Sequence, residues 1–128
     1  MTDMQSAGTT TLNFTLNPVV EAARQARALV TDACGQWHRP DLAESAHLAI
    51  TELVNNVVAH ARTPMRVDLA LRDGELYIAV RDYSHEPPRP SVPTLSGGRG
   101  LLVVEGVARR WGCTPRRDGK VVWAVIGG

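Results

Sequence analysis

Long hydrophobic runs, aromatic residues and cysteines are all scarce in this chain of 128 residues. No segment approaches the roughly 20 consecutive apolar residues that a membrane-spanning helix needs, so we expect no contact with a membrane. The two cysteines, Cys34 and Cys113, lie far apart and lack the spacing of metal ligands or of a disulfide framework. Together with a polar start that shows no targeting segment, this scarcity predicts a protein of the reducing cytoplasm.

An excess of charge of one sign is also absent. The chain has 14 Lys and Arg residues against 13 Asp and Glu residues, and a net charge of +1 argues against direct nucleic-acid binding. Its apolar share of 44% and charged share of 21% are those of a globular protein. We expect a disordered tail over residues 1–10 and one domain over residues 11–128. Since aromatic residues make up 5% of the chain, the core must be mainly aliphatic.

Hydropathy patterning and turn signals predict the order of the structural elements. A strand (residues 10–16) is followed by two helices (18–33 and 40–61) and a hairpin (65–72 with 76–81). An irregular segment (82–98), a third helix (101–110) and a final hairpin (113–116 with 120–126) complete the chain. Asp73-Gly74 and Asp118-Gly119 are turn signals that make the hairpin strands antiparallel neighbours. Because every helix needs an apolar sheet face, the sequence predicts an α/β fold with the helices on one side of one sheet.

Capping residues predict the ends of the first two helices. Asn17-Pro18 has the form of an N-cap followed by proline at the first helical position, and Gly35 is predicted to end that helix. Asp41 with Glu44 three residues later resembles a capping box at the start of the second helix. Thr63-Pro64 is predicted to stop the second helix after about Ala61.

The irregular segment over residues 82–98 contains four prolines, at positions 87, 88, 90 and 93. Proline removes a backbone donor and fixes φ, which excludes a regular helix or an interior strand there. An irregular stretch of this length inside a small domain is typical either of a functional lid or of disorder.

Glu52 and Asn56 lie four residues apart at the rim of the apolar face of the second helix, so they are neighbours one turn removed. Carboxylate and amide oxygens suit Mg²⁺, which takes few protein ligands, and the carboxylate is also a candidate general base. An ordinary boundary pair that makes local hydrogen bonds explains the same spacing, and spacing alone favours it.

Two further candidates flank the irregular segment. Asp82 stands at its start, where a carboxylate can accept a hydrogen bond from an exocyclic amine such as that of adenine, or simply cap the loop. The glycine-rich run Gly97–Gly100 precedes the third helix, where backbone N–H groups and Arg99 would suit a phosphate. A plain flexible joint explains this run equally well.

Three segments resemble, in the same order along the chain, the motifs of the GHKL ATPase superfamily. More narrowly, they resemble those of the anti-sigma-factor serine kinases and their actinobacterial relatives. Residues 48–61 (LAITELVNNVVAHA) resemble the N box, residues 80–88 (VRDYSHEPP) the first glycine box, and residues 98–126 the second glycine box with the closing hairpin. The resemblance covers nearly the whole chain beyond the first ten residues. It implies a histidine-kinase-like ATPase fold, a two-layer α/β sandwich whose mixed, mostly antiparallel sheet has helices on one face.

The resemblance also implies roles for individual residues. Asn56 corresponds to the asparagine that coordinates Mg²⁺, and Glu52 to the glutamate taken as general base for the attacking hydroxyl. Asp82 corresponds to the aspartate that binds the adenine amine of ATP. The second glycine box places Gly98 and Gly100 at the phosphates, with Arg99 and Leu101 beside them.

One position departs from the superfamily pattern D-x-G-x-G. Ser84 replaces the first glycine after Asp82, although actinobacterial members often show this form. Ser84 is still assigned to the adenine pocket, but the replacement brings into question the geometry of that pocket and the tightness of ATP binding.

The function implied is that of an anti-sigma regulator that uses ATP and Mg²⁺. Such kinases phosphorylate a serine of an anti-anti-sigma antagonist with a STAS domain, or hold a sigma factor inactive, usually as homodimers. The alternative is a non-catalytic nucleotide-binding module that sequesters a partner protein. Retention of Glu52 favours the kinase, whereas Ser84 favours the module. A nucleotide-free α/β adaptor is the third hypothesis.

Overall fold

The fold is taken from a computed structural model that describes residues 9–86 and 100–127. Its elements are five strands and three helices: β1 (Thr9–Leu16), α1 (Ala22–Gln36), α2 (Ala43–Asn56), β2 (Met65–Arg72), β3 (Glu75–Asp82), α3 (Gly100–Val107), β4 (Arg110–Arg116) and β5 (Gly119–Ile126). A 3-10 turn, Pro40–Leu42, precedes α2, and a π-helical turn, Val57–Ala61, follows it. Gly98, Arg99, most of the predicted irregular segment and the first eight residues lie outside the described residues.

The five strands form one sheet in the order β1-β2-β3-β5-β4. Each neighbouring pair is antiparallel, so the part of the sheet that the structure describes is antiparallel throughout rather than mixed. The predicted α/β architecture, with helices packed on a sheet, is confirmed. Strand β5 lies between β3 and β4 and pairs with both. The hairpin before the irregular segment and the hairpin after it therefore join in the middle of the sheet.

A core of aliphatic side chains lies between the sheet and the helices. Along β3, alternate residues from Leu76 to Asp82 are buried. On β5, the alternate residues Lys120, Val122, Ala124 and Ile126 are buried, and Val125 is buried as well. Helix α2 covers this face with Ile50 and Leu53, both nearly inaccessible to solvent. Burying side chains of this size contributes about 1.5–3 kcal/mol each. The largest fully buried side chains of the described residues are all aliphatic or Met, as the low aromatic content predicted.

Helix α1 differs from the predicted boundaries at both ends. It begins at Ala22, because the segment from Asn17 to Glu21 is used to turn the chain from β1 back over the sheet, with the Val19 N–H bonded to the Asn17 carbonyl at 2.9 Å. It continues through Gly35 to Gln36, and His38, at φ 57°, follows its end. A helical glycine costs only about 1 kcal/mol relative to alanine, which the burial of Ala33 and Cys34 in the same turn offsets.

Helix α2 does not use the predicted capping box. The Asp41 carboxylate pairs with Arg39 instead, with Arg39 Nε 3.0 Å from Oδ1 and Nη2 2.9 Å from Oδ2, because the chain enters through a 3-10 turn. The α-helical part ends at Asn56 rather than Ala61. The last turn of the predicted helix is π-helical and stops at Arg62, which adopts a left-handed conformation at φ 57°.

The C-terminal elements also shift relative to the prediction. Helix α3 ends at Val107, and β4 begins at Arg110, three residues earlier than Cys113. The reason is the partner strand, since Arg110 already pairs with Val125 of β5. Tertiary pairing therefore extends a strand that local propensity alone does not predict.

Gly119, at the start of β5, is required by the close approach of β3. A Cβ atom at this position would overlap the carbonyl oxygen of Asp82 and crowd the Cα of Tyr83. We therefore expect Gly119→Ala to lower the free energy of unfolding by about 1–3 kcal/mol, the usual cost of overpacking. Urea denaturation measures the change. The control is Gly35→Ala, where an added Cβ has open space within a helix and is expected to stabilise by about 0.5–1 kcal/mol. Equal effects of the two substitutions would contradict this account.

Candidate functional site

A small cleft opens on the inner face of the sheet, where β3 ends, β5 begins and the C-terminal part of α2 crosses them. Its walls are mainly aliphatic, and three polar side chains enter it; the lining residues are Leu53, Asn56, Val57, Val80, Asp82, Lys120 and Val122. Two of the residues predicted from sequence, Asn56 on α2 and Asp82 on β3, therefore meet at one place although 26 positions separate them in the chain.

Asp82 lies at the base of the cleft with 1% of its surface exposed. Its Oδ1 accepts the backbone N–H of Ser84 at 2.9 Å, which turns the chain out of β3. Its Oδ2 lies 2.8 Å from Nζ of Lys120, the residue directly opposite in the β3–β5 register. The carboxylate is thus held by a buried ion pair and by the loop that follows it.

Lys120, which was not predicted from the sequence, lines the cleft and is 6% exposed. It is the single lysine of the chain, among 13 arginines. A signal was available, because alternation along residues 120–126 (KVVWAVI) places Lys120 on the same face as Val122 and Ala124. A charge at an inward position of a central strand needs a buried partner, and Asp82 is that partner.

Glu52 and Asn56 both lie half-buried on α2, one turn apart, as predicted. Burial raises the pKa of the Glu52 carboxyl above its ordinary value of 4.5. Asn56 is a cleft residue, whereas Glu52 is not among the residues that line it. The helix therefore presents an amide to the cleft and a carboxylate with raised pKa beside it, which are the two groups predicted for metal binding and for base catalysis.

The π-helical turn begins directly after Asn56. The Arg62 N–H bonds the Val57 carbonyl at 2.7 Å, five residues back, where an α-helix would bond four residues back. Single π turns of this kind occur frequently at functional sites. The widened turn sets the position of Val57, which lines the cleft beside Asn56.

The start of the irregular segment is fastened to the sheet and to the chain after α2. The Tyr83 N–H bonds Thr63 Oγ1 at 3.1 Å, and the His85 ring lies 2.9 Å from the carbonyl of Arg117. Ser84 Oγ accepts the N–H of Glu86 at 3.2 Å. Ser84 thus takes part in a local turn on Asp82, where the superfamily pattern has a glycine.

The second glycine box is described only from its end. Gly100 and Leu101 form the first turn of α3, which packs against α2. Gly98 and Arg99 lie outside the described residues. Their assignment to the phosphates of ATP stays a prediction.

The side chains that line the cleft are of the chemical types that bind adenine nucleotides. Leu53, Val57 and Val122 offer apolar walls to a flat base, and Asp82 retains lone pairs after accepting one hydrogen bond on each oxygen. The Asn56 amide oxygen is of the type that Mg²⁺ binds.

Comparison with known proteins adds an independent finding. Residues 16–126 match the family model described as a histidine kinase-like ATPase domain. The chain belongs to this family. Because this is a family of ATPase domains, ATP is the nucleotide that the fold is expected to bind. No curated protein matches the sequence.

Thirteen chains of solved structures resemble this histidine kinase-like ATPase domain. One is the crystal structure of the RsbU and RsbW domains of Rv1364c from Mycobacterium tuberculosis, with a TM-score of 0.69 and 21% sequence identity. The match covers 92% of this chain and 32% of that one, so this chain spans about a third of the other's length. At this identity the likeness establishes the shared fold. Among the described residues, no helix is long and apolar enough to span a bilayer.

Proposed function

We propose that this domain binds Mg·ATP and acts as a protein serine kinase of the anti-sigma type. The observation that supports the proposal best is the convergence of Asn56 and Asp82 on one cleft with aliphatic walls. These residues come from two of the three segments that resemble the superfamily motifs. The family match over residues 16–126 supports the same nucleotide.

Each residue then has a defined task. Asp82 accepts a hydrogen bond from the exocyclic amine of the base, Ser84 holds the turn that positions this carboxylate, and Asn56 provides an oxygen to the metal. The phosphates are assigned to the second glycine box, that is, to Gly98, Arg99, Gly100 and Leu101. When bound, Mg²⁺ supplies positive charge that offsets the charge of the phosphates during transfer.

Glu52 is the proposed general base. Its half-buried carboxylate lies one turn from Asn56 on the same helix. A serine hydroxyl placed near the metal would therefore lie close to Glu52. Its raised pKa makes it a stronger base than an exposed glutamate. Glu52 accepts the proton of the attacking hydroxyl as its oxygen bonds to the γ-phosphorus, and the bond between that phosphorus and the bridging oxygen breaks, so that ADP leaves.

The proposed partners are proteins. The anti-sigma resemblance and the likeness to a structure containing an RsbW domain support a STAS-domain antagonist as phosphate acceptor and a sigma factor as the sequestered protein. The proposed setting is the cytoplasm, and the proposed assembly is a homodimer. Incubation with radiolabelled ATP and candidate antagonists tests the activity, since phosphoserine on a STAS protein is expected.

A second candidate function is sequestration of a partner with nucleotide binding but without transfer. It is favoured by one observation, namely that Ser84 replaces a glycine and closes a turn on Asp82. A protein that binds ATP and a sigma factor tightly, yet phosphorylates no antagonist, would support this function over the kinase.

Asn56→Ala is expected to weaken ATP binding in the presence of Mg²⁺ by about 10- to 100-fold, because one contact to a charged group is lost. Isothermal titration calorimetry with and without Mg²⁺ measures the effect, which should shrink when the metal is omitted. The matched control is Asn55→Ala, since the neighbouring amide is exposed and is not among the residues that line the cleft. If wild type gives neither heat nor a thermal shift with millimolar ATP and Mg²⁺, the nucleotide proposal fails.

A further inference from the structure

The nucleotide cleft contains a lysine that the proposed function has not used. Lys120 is the single lysine of the chain, and its ammonium group lies inside the cleft. An ammonium group has three N–H donors. Within residues 9–86 and 100–127, one of them is taken, by Asp82 Oδ2 at 2.8 Å.

Lys120 and Asp82 together present a donor beside an acceptor. They face each other across the β3–β5 pair at the same depth, and the remaining cleft residues apart from Asn56 are aliphatic. A ligand edge that fits such a pair must carry an acceptor next to a donor. Adenine has this edge, because its exocyclic amine is flanked by ring nitrogens that accept hydrogen bonds.

Stability alone does not account for the pair. A buried ion pair contributes little compared with well-packed hydrophobic residues of similar volume, and the neighbouring inward positions of β5 are Val122 and Ala124. Lysine is also the basic residue suited to this space, because its compact ammonium offers several free donor directions, whereas the planar guanidinium of arginine has fixed ones.

We propose that Lys120 is a base-contacting residue. While bonded to Asp82, its Nζ donates a second hydrogen bond to a ring nitrogen that flanks the amine of adenine. Asp82 then accepts a hydrogen bond from the amine of the base, and Lys120 donates one to the adjacent ring nitrogen. This inference rests on the proposed binding of ATP and assigns the residue that discriminates among bases.

The test compares ATP with analogues in which one ring nitrogen is replaced by CH. Calorimetry on the wild-type protein with 1-deaza-ATP and 7-deaza-ATP removes each flanking nitrogen in turn, and 3-deaza-ATP is the control, because its altered position is remote from the amine. We expect one of the first two to bind about 10- to 100-fold more weakly than ATP, the loss of one hydrogen bond from a charged donor. The 3-deaza analogue should bind like ATP.

Protein labelled with ¹⁵N-lysine gives a direct readout. Because the chain has one lysine, its Nζ resonance needs no assignment, and it should shift with ATP but markedly less with the weakened analogue. In Lys120→Met, ATP and that analogue should bind with affinities equal to within about threefold. If this variant does not fold, the wild-type titrations and the resonance still decide.

The outcomes separate the two claims. If wild type binds ATP and all three deaza analogues equally, Lys120 does not contact the base, while the proposed nucleotide binding stands. If wild type binds no ATP at all, the proposed function fails and this inference fails with it.

Discussion

Glu52→Gln should lower the rate of serine phosphorylation by about 10²–10⁴-fold, the usual contribution of a positioned general base. Glutamine keeps the size of the side chain but cannot accept the proton. The proposed metal ligand Asn56 and the proposed base-binding residue Asp82 are untouched, so ATP and the partner protein should bind nearly as in wild type. Radiolabel transfer under single-turnover conditions measures the rate, and calorimetry measures ATP binding.

The pH dependence provides a second measurement of the same substitution. Only the ionised carboxylate can act as base, so the wild-type rate should rise with pH through a pKa above 4.5, the direction in which burial shifts Glu52. Glu52→Gln should lose this rising limb. Because burial disfavours the charged form, ionised Glu52 costs stability as pH rises through that pKa, and the variant should be at least as stable as wild type above it.

The matched control is Glu44→Gln, which removes an exposed carboxylate two turns earlier on α2. It should leave the rate and its pH profile unchanged. A Glu52→Gln protein that transfers phosphate at the wild-type rate would show that another group takes the proton.

Lys120→Met should lower the free energy of unfolding by about 3–5 kcal/mol at neutral pH, because it leaves the carboxylate of Asp82 buried without its ion-pair partner. The pair is almost fully enclosed, with side-chain exposures of 8% and 1%. The double variant Asp82→Asn with Lys120→Met removes both charges and keeps an acceptor for the Ser84 N–H. It should recover most of the loss. Urea denaturation of the two single variants and the double variant measures the coupling between the residues.

An exposed ion pair of similar length is the control. Arg81 lies 2.8 Å from Asp118, with side-chain exposures of 32% and 54%, so Asp118→Asn should cost no more than about 1 kcal/mol. If Lys120→Met costs equally little, water reaches the Asp82 carboxylate, and the pair is less enclosed than its exposure indicates.

The sequence by itself predicted the kind of fold and two of the three polar residues of the cleft, Asn56 and Asp82. Period-two alternation and the Asp73-Gly74 and Asp118-Gly119 turns gave antiparallel hairpins, since these signals are local. The helical spacing of Glu52 and Asn56 likewise placed them one turn apart on α2, as the structure shows. Nucleotide binding was predicted from the resemblance to known motifs, because the spacing of these two residues alone favoured an ordinary boundary pair.

The tertiary structure alone decided features that depend on distant partners. The early start of β4 follows from pairing with β5, and the late start of α1 from the turn that leads out of β1. The partner of Asp82 was also beyond local reasoning, because Lys120 lies 38 residues away and meets it only through the β3–β5 register. Local propensity acts over a few residues, whereas a buried charge is neutralised by whichever residue the sheet places opposite it. The order of the strands therefore decided that Lys120 is the third polar residue of the cleft.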